Sequence, residues 1–347
     1  MFELQSATHS ALTQLIAAQS HIVSGWLRDT NSPRPPLFVE ADAARLRHYG
    51  RSVFLRGLIE YSNICSKGCL YCGLRAPNGH IKRYRLSDES MLTCVRHGHA
   101  LGFRSFVLQG GEDAHFNAGH MAHIVSQIKS EFPDIALTLS CGELPDGMYE
   151  KLRTAGADRY LLRHETAHAG HYAKLHPANM HLESRVRCLQ TLKRLGYKIG
   201  AGFMVGSPFQ THEMLAGDLL FLRDLAPNMV GIGPFLPQSD TPFAKASAGS
   251  LALTLTMLAL TRILLPCATI PATTALGTLA DGGRELGLIA GANVIMPNLT
   301  PTDFRANYLL YDGKIGIDSA VDDGLRRIVR SVENSGFVPD FSRGDPL

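Results

Sequence analysis

From residue 53 onward the chain alternates short β-rich runs with helical stretches, and that rhythm admits few architectures. The β-rich runs cover residues 53–61, 105–109, 136–140, 159–164, 199–205, 229–235, 269–275 and 292–296. Between them, apolar residues recur at helical spacing over 88–101, 121–131, 148–155, 183–195, 212–225, 251–264 and 284–290. Strands joined through helices of this length need crossover connections, which give parallel pairing with one handedness. About eight such units predict an α/β fold, a complete (β/α)8 TIM-type barrel rather than an open sheet. The expected organisation is an N-terminal helical extension over 1–50, the barrel over 51–316, and a C-terminal helix and polar tail over 317–347.

Composition supports a folded, water-facing chain. Hydrophobic residues make up 45% of the 347 positions and charged residues 19%, enough to fill a barrel core. The formal net charge is +3 with no long basic run, so no nucleic-acid surface is expected. The opening "MFELQSATHSALTQLIAAQS" lacks a basic segment followed by an unbroken apolar one, and "LALTLTMLALTRILLP" is punctuated by threonines and Arg262. Neither reads as an export signal or a bilayer span, so the expectation is a cytoplasmic protein without a membrane partner. Seven cysteines, clustered rather than spread, favour metal binding or catalysis over a disulfide framework.

If the fold is a barrel, its chemistry gathers where the strands end. The first strand ends in "CSKGCLYCG", which places Cys65, Cys69 and Cys72 in one loop, with Gly68 and Gly73 letting the backbone curl. A structural zinc needs four ligands, and His80 lies outside the usual short spacings. A thiol redox pair would leave Cys65 without a role. An iron–sulfur cube accounts for three thiolates and no fourth, because one iron stays open to a ligand from outside the protein. On spacing alone the zinc and thiol readings remain available. Other strand ends are polar too: 109–113, 140–143, 163–166, and Thr273 with Thr274.

The loop "CSKGCLYC", with Tyr71 before its last cysteine, resembles the signature of the radical S-adenosylmethionine (SAM) enzymes. "LQGGED" at 108–113 is similar to that family's Gly-Gly-Glu segment. "RYLLRHETA", "GAGFMVGSPFQT", "VGIGPFLPQSDTPFA", "LTRILLP", "IPATTALGT" and "GANVIMPNLTP" resemble one subgroup, the FeFe-hydrogenase maturases of HydE type, over residues 50–316. The resemblance implies one 4Fe-4S cluster on Cys65, Cys69 and Cys72, with SAM on the open iron. An electron from the cluster would cleave SAM to a 5′-deoxyadenosyl radical. That radical would act on the cysteine sulfur of a small organometallic substrate, an iron-bound cysteine carrying CO and cyanide. The implied partners are a reducing electron donor of flavodoxin or ferredoxin type and the other hydrogenase maturation proteins.

The same resemblance distributes roles, each with a plainer reading beside it. Tyr71, Gly110, Gly111 and Glu112 would line the SAM site. Glu165 would hold a SAM hydroxyl or ammonium, against a rim ion pair with Arg163 or Arg185. Arg185 would fork onto the SAM carboxylate, against a solvated helix arginine. Ser140 and Thr166 would meet the adenosine or methionine portion, against helix caps. Arg56 and Arg159 would meet the anionic substrate, since an inward arginine needs an anion, against an outward position between helices. Thr273 and Thr274 would donate to cyanide-like or carboxylate groups, against simple strand-forming residues. Tyr308 and Tyr311 would close the cavity, against ordinary packing. His115, His120 and His123 lack a carboxylate to complete a metal set and are expected at the surface. Cys94, Cys188 and Cys267 are expected as buried small hydrophobes, while Cys141 at a strand end stands apart.

No cysteine follows Cys267, so a second, accessory cluster is not expected. A biotin-synthase-like reaction would need one. Two other readings stay open: a methylornithine-synthase-like amino-acid mutase, and a non-catalytic iron–sulfur scaffold.

Overall fold

The computed structural model describes residues 2–347. Two helices come first, α1 (His9–Trp26) and α2 (Pro36–Tyr49). Strand β1 (Ser52–Leu55) then runs almost directly into β2 (Gly57–Ser62). The alternation follows with α3 (Asp88–Ala100), β3 (Ser105–Gly110), α4 (Ala118–Glu131), β4 (Ala136–Ser140), α5 (Asp146–Thr154) and β5 (Arg159–Leu161). Next come α6 (Ala169–Leu175), α7 (Leu182–Arg194), β6 (Lys198–Ala201), β7 (Met204–Val205), α8 (His212–Leu225), β8 (Met229–Val230) and β9 (Gly233–Pro234). The chain ends with α9 (Leu251–Leu264), α10 (Thr274–Leu279), α11 (Gly283–Ile289), β10 (Val294–Ile295), α12 (Thr302–Arg305), α13 (Val321–Asn334) and β11 (Val338–Asp340).

Helix starts are written locally. Ser87, Asn117, Thr211 and Ser250 each accept a first-turn backbone N–H and so begin α3, α4, α8 and α9. α1 packs on α8 and α9, and α2 on α9, so the N-terminal helices lie against the outer helical layer. Among the described residues no helix is long and apolar enough to cross a membrane.

Six strands pair in parallel in the order β2-β3-β4-β5-β6-β8. The remaining arc is thin but continuous. Met229 bridges Thr269, Pro271 bridges Val294, and Leu58 bridges Asn298, all in parallel. The backbone bonds Val230 N–H to Thr269 O (3.0 Å), Asn293 N–H to Ile270 O (2.8 Å) and Leu58 N–H to Pro297 O (2.8 Å) complete the circuit. The barrel therefore closes on eight parallel segments. The predicted strand over 269–275 is reduced to bridges because Pro271 has no N–H to give and Thr273 caps α10 two residues later. Two other predicted strands are interrupted at residues 202–203 and 231–232 and resume as the parallel pair β7–β9.

Arg262 of α9 closes this thin arc from behind. Fully buried, it donates to Gly291 O (2.8 Å), Pro266 O (2.9 Å), Ala268 O (2.7 Å) and Asn293 Oδ1 (2.8 Å). Asn293 Oδ1 also accepts the Ile270 N–H at 2.9 Å. Burial pushes Arg262 down to about 9, which still leaves it charged at neutral pH. Arg262→Met should strand these acceptors and lower stability by about 3 kcal/mol or more, read as the loss of urea midpoint against wild type.

The C-terminal segment returns to the barrel. β11 pairs with β1, which pairs on its other side with β10.

Candidate active site at the C-terminal mouth of the barrel

The cysteine loop leaves the end of β2 and is fastened to three neighbours. Ser66 N–H donates to Glu112 O (3.0 Å), Leu70 N–H to Leu175 O (2.9 Å) and Gly73 N–H to Leu310 O (3.0 Å). Its approach to the end of β3 is close enough to require glycine. A Cβ on Gly111 would stand 2.2 Å from Ile64 O and 2.7 Å from Cys65 Cβ. Gly142 meets a second limit: its φ is +78°, and a Cβ there would fall 2.0 Å from Glu112 Cγ.

These ends enclose a cavity of about 290 Å³. One wall is the loop itself, with Cys65, Lys67, Cys69, Tyr71 and Cys72, and Gly110, Gly111, Glu112, Ser140 and Gly142 continue it. Arg163, Glu165, Arg185 and Met204 stand along a second side. Thr273, Phe235, Leu236, Tyr308 and Tyr311 complete the lining. A larger cavity of about 480 Å³ beside β10 holds no cysteine, so size alone does not mark the reactive end.

The second wall is electrostatically unfinished. Arg163 Nη2 lies 3.0 Å from Glu165 Oε2, and Arg185 Nε lies 2.8 Å from Glu143 Oε1. These contacts lack hydrogen-bond alignment, and Arg163 Nε and Nη2, Glu165 Oε2 and Arg185 Nε are buried without a hydrogen-bond partner. Burial alone would lower Arg185, but the surrounding Tyr172 and Glu143 hold it above its ordinary value. Glu112, 3.3 Å from Lys67 Nζ, is pushed up by burial. Glu165 itself sits at φ +66°, a conformation that costs an L-residue about 1–2 kcal/mol. Its N–H donates to Gly202 O (3.0 Å) and its carbonyl accepts the Met204 N–H (3.2 Å), which holds it there.

The thiols are all free, and burial raises each of them, Cys69 to about 12 and Cys72 higher still. Thiols in such surroundings become thiolates only against bound metal. Among the described residues no three side chains of His, Cys, Asp or Glu gather around one ion site. Three thiols on one loop match the ligands of a cube, each of which takes a separate iron. The donor set and its setting therefore fit a cluster. Tyr71 Oη stands 3.3 Å from His176 Nε2, and burial lowers His176 to about 4.

Several expected site residues lie elsewhere. Arg56 and Arg159 precede or open their strands, at the opposite end of the barrel from the cysteines. Arg56 donates to Thr269 Oγ1 (3.2 Å) and Gly344 O (3.0 Å), and Arg159 to Ser105 Oγ (3.1 Å) and Arg343 O (2.6 Å), with Asp345 Oδ1 at 2.7 Å. Both are buried, and Arg159 does find an anion, but it comes from the chain's own tail; Arg56 finds only neutral acceptors. Thr166 does not line the cavity: it is buried, and its Oγ1 accepts the His168 N–H (3.3 Å). Thr274 opens α10, accepts from Arg284 Nη2 (3.1 Å), and lines the larger cavity. Cys267 is only half-buried, with Sγ 3.5 Å from His48 Nδ1, whereas Cys94, Cys141 and Cys188 are buried. His115 and His123 are exposed, and His120 pairs with Asp88 at 2.8 Å.

Lys67, Gln109 and Arg163 carry no role in the sequence reading, yet all three line the cavity, and Gln109 Nε2 donates to Tyr308 Oη (3.2 Å). Strand alternation was the available signal for Arg163, since positions 161, 163 and 165 fall on one face.

Residues 59–222 match the Radical SAM superfamily. The chain is 52% identical over 303 residues to the [FeFe] hydrogenase maturase subunit HydE of Thermotoga maritima, spanning 87% of this chain and 86% of that protein. The chain belongs to the HydE family of radical SAM enzymes. It is more distantly similar to the 3-methylornithine synthase of Methanosarcina acetivorans, at 26% identity over 87% of this chain and 85% of that one. The solved structure of methylornithine synthase (PylB) superposes with a TM-score of 0.76 at 25% identity, covering 95% of this chain and 97% of the other. Membership in the family implies a 4Fe-4S cluster and SAM, and the thiol loop and unfinished charged wall are compatible with both.

Two predictions follow from this geometry. Gly111→Ala should push the cysteine loop outward, so that anaerobic reconstitution yields far less iron per chain while the far-UV spectrum stays native. At the other end, burial raises the Asp345 carboxyl but Arg159 and Arg343 outweigh it and hold it below the usual range. Because Asp345 is half-exposed, Asp345→Asn should cost only about 1–2 kcal/mol at pH 7. The ionised carboxylate favours the folded state, so this difference should persist above about pH 4 and fade as pH drops through the depressed pKa, measured by denaturant titration.

Proposed function

We propose that this chain is a HydE-type hydrogenase maturase that binds one 4Fe-4S cluster through Cys65, Cys69 and Cys72 and uses SAM there. The observation that carries the reading is a three-thiol loop opening onto a cavity also lined by Arg163, Glu165 and Arg185, each with a buried side-chain atom that has no hydrogen-bond partner. Such a lining suits a zwitterion. Arg185 would hold the SAM carboxylate, the backbone of Gly110–Glu112 its ammonium, Glu165 a ribose hydroxyl or the ammonium, and Ser140 and Tyr71 would flank the bound molecule. When bound, the cluster supplies the electron that cleaves SAM to a 5′-deoxyadenosyl radical.

The substrate reading is an iron-bound cysteine with CO and cyanide ligands, attacked at its cysteine sulfur during assembly of the hydrogenase active site. Thr273, Tyr308 and Tyr311 line the same cavity and would orient this substrate, with Gln109 holding the Tyr308 hydroxyl. Phe235, Leu236 and Met204 would exclude water from the reacting atoms. A flavodoxin- or ferredoxin-type donor would reduce the cluster, and other hydrogenase maturation proteins would supply and receive the substrate and product.

The similarity to methylornithine synthase in sequence and fold makes an amino-acid mutase acting on lysine the competing activity. Reconstituted, dithionite-reduced protein should release 5′-deoxyadenosine from SAM, and Cys69→Ala should abolish both cluster absorbance and that release. Turnover should follow the iron–cysteine precursor and not lysine. Turnover of lysine would favour the mutase, and a cluster that never cleaves SAM would leave a scaffold.

A further inference from the structure

The strained turn that carries Glu165 is fastened from outside the barrel. His164, between the two cavity-lining residues Arg163 and Glu165, is fully buried and does not line the cavity; its ring centroid lies 4.5 Å from that of Phe221 and 5.9 Å from that of Phe203. Its Nδ1 accepts the Gly202 N–H at 3.3 Å, which leaves the ring proton on Nε2. That Nε2 faces Asp218 Oδ1 at 3.3 Å without hydrogen-bond alignment, and the same oxygen accepts the Ala167 N–H at 2.5 Å. One carboxylate thus holds Ala167 by a hydrogen bond and faces the buried His164 ring by charge, on both sides of the left-handed Glu165.

Asp218 belongs to α8, and no residue of that helix lines the cavity. It is fully buried. A buried carboxylate is costly even when paired, and an apolar residue in its place would ordinarily pack at least as well. α8 is already held to the barrel by Leu215, Leu219 and Leu222, each buried. What these leucines cannot do is restrain a loop backbone from two points.

We propose that Asp218, acting through His164 and the Ala167 amide, is the positioning residue for Glu165, fixing the left-handed turn so that the Glu165 carboxylate stays at the SAM end of the cavity. Without that grip the backbone at 165 relaxes toward an ordinary conformation and carries the carboxylate off the wall. The inference rests on the reading of Glu165 as a SAM contact.

The test measures SAM dissociation constants by anaerobic equilibrium binding to cluster-loaded protein, beside amide exchange of residues 164–167 in the protein without SAM. Asp218→Asn keeps the shape and an acceptor for Ala167 but loses the charge facing His164, and should weaken SAM binding about threefold. Asp218→Ala loses both and should weaken it about tenfold, with iron content unchanged and faster exchange in the turn. Leu219→Ala, a destabilised α8 control, should lower Tm and leave SAM affinity within about twofold. In a Glu165→Gln background, Asp218→Ala should add less than about twofold, because the group it positions is already gone.

Wild-type affinity in both Asp218→Asn and His164→Gln overturns the inference, as does full additivity with Glu165→Gln. Asp218→Asn and His164→Gln keep the test decisive if Asp218→Ala does not fold. Wild-type protein that binds a cluster but no SAM overturns the reading of the cavity itself, and the inference with it.

Discussion

The barrel depends on a charge placed where an apolar helix would seem to want none. Arg262 sits in the most hydrophobic stretch of the chain, and its guanidinium spans the arc in which the parallel ladder is thinnest. Between β8 and β2 the ring is carried by single bridges, because Pro271 withholds a donor and the chain turns early into α10. Carbonyls at 266, 268 and 291 would otherwise face a dry interior. One planar group with five donors satisfies them together with Asn293, which passes the restraint on to the Ile270 amide. The apolar surroundings keep water from competing for those bonds.

A closed ring lets the two ends of the barrel specialise. At the N-terminal end, Arg56 and Arg159 donate to the chain's own tail, through Gly344, Arg343 and Asp345, and each keeps only its Nε without a partner. At the C-terminal end, Arg163, Glu165 and Arg185 keep unmet atoms. Inward arginines occupy both ends, and what differs is their surroundings: Arg56 and Arg159 donate to the tail, whereas Arg163 and Arg185 line an open cavity. A satisfied buried charge contributes to the fold, whereas an unsatisfied one is retained at a cost that a ligand can offset.

That contrast also sorts what was legible in the sequence. Cys65, Cys69 and Cys72, with Gly110–Glu112, are local patterns, and each brings its partner within a few residues of a strand end. The eight-fold alternation was equally local, and α8 and α9 match their predicted bounds. Arg159 carried the right physical argument and the wrong partner, because its anion lies 186 residues further on in a tail that gives no periodic signal, and Arg56 meets a carbonyl of that tail instead of an anion. Thr166 and Thr274 illustrate a different loss: their hydroxyls serve a local turn and an arginine instead of the cavity. α6, α10 and α12 are too short to show a hydrophobic period, and β11 is recognisable only once β1 is there to receive it.

Glu165 joins these levels. Alternation along "RYLLRHE" puts Arg163 and Glu165 on the cavity face and His164 behind them, so the reactive wall and its support come from adjacent residues. The left-handed conformation at 165, four residues past the end of β5, stands where its carboxylate lines the cavity, and the neighbouring β6–β7 segment accepts and donates the backbone bonds that hold it. A glycine would adopt that conformation without strain but would bring no carboxylate. The ring built on Arg262 supplies the rigidity, the paired segments supply the restraint, and the strain is stored beside the thiol loop, where an arriving zwitterion meets ion-paired groups with hydrogen-bonding atoms still free.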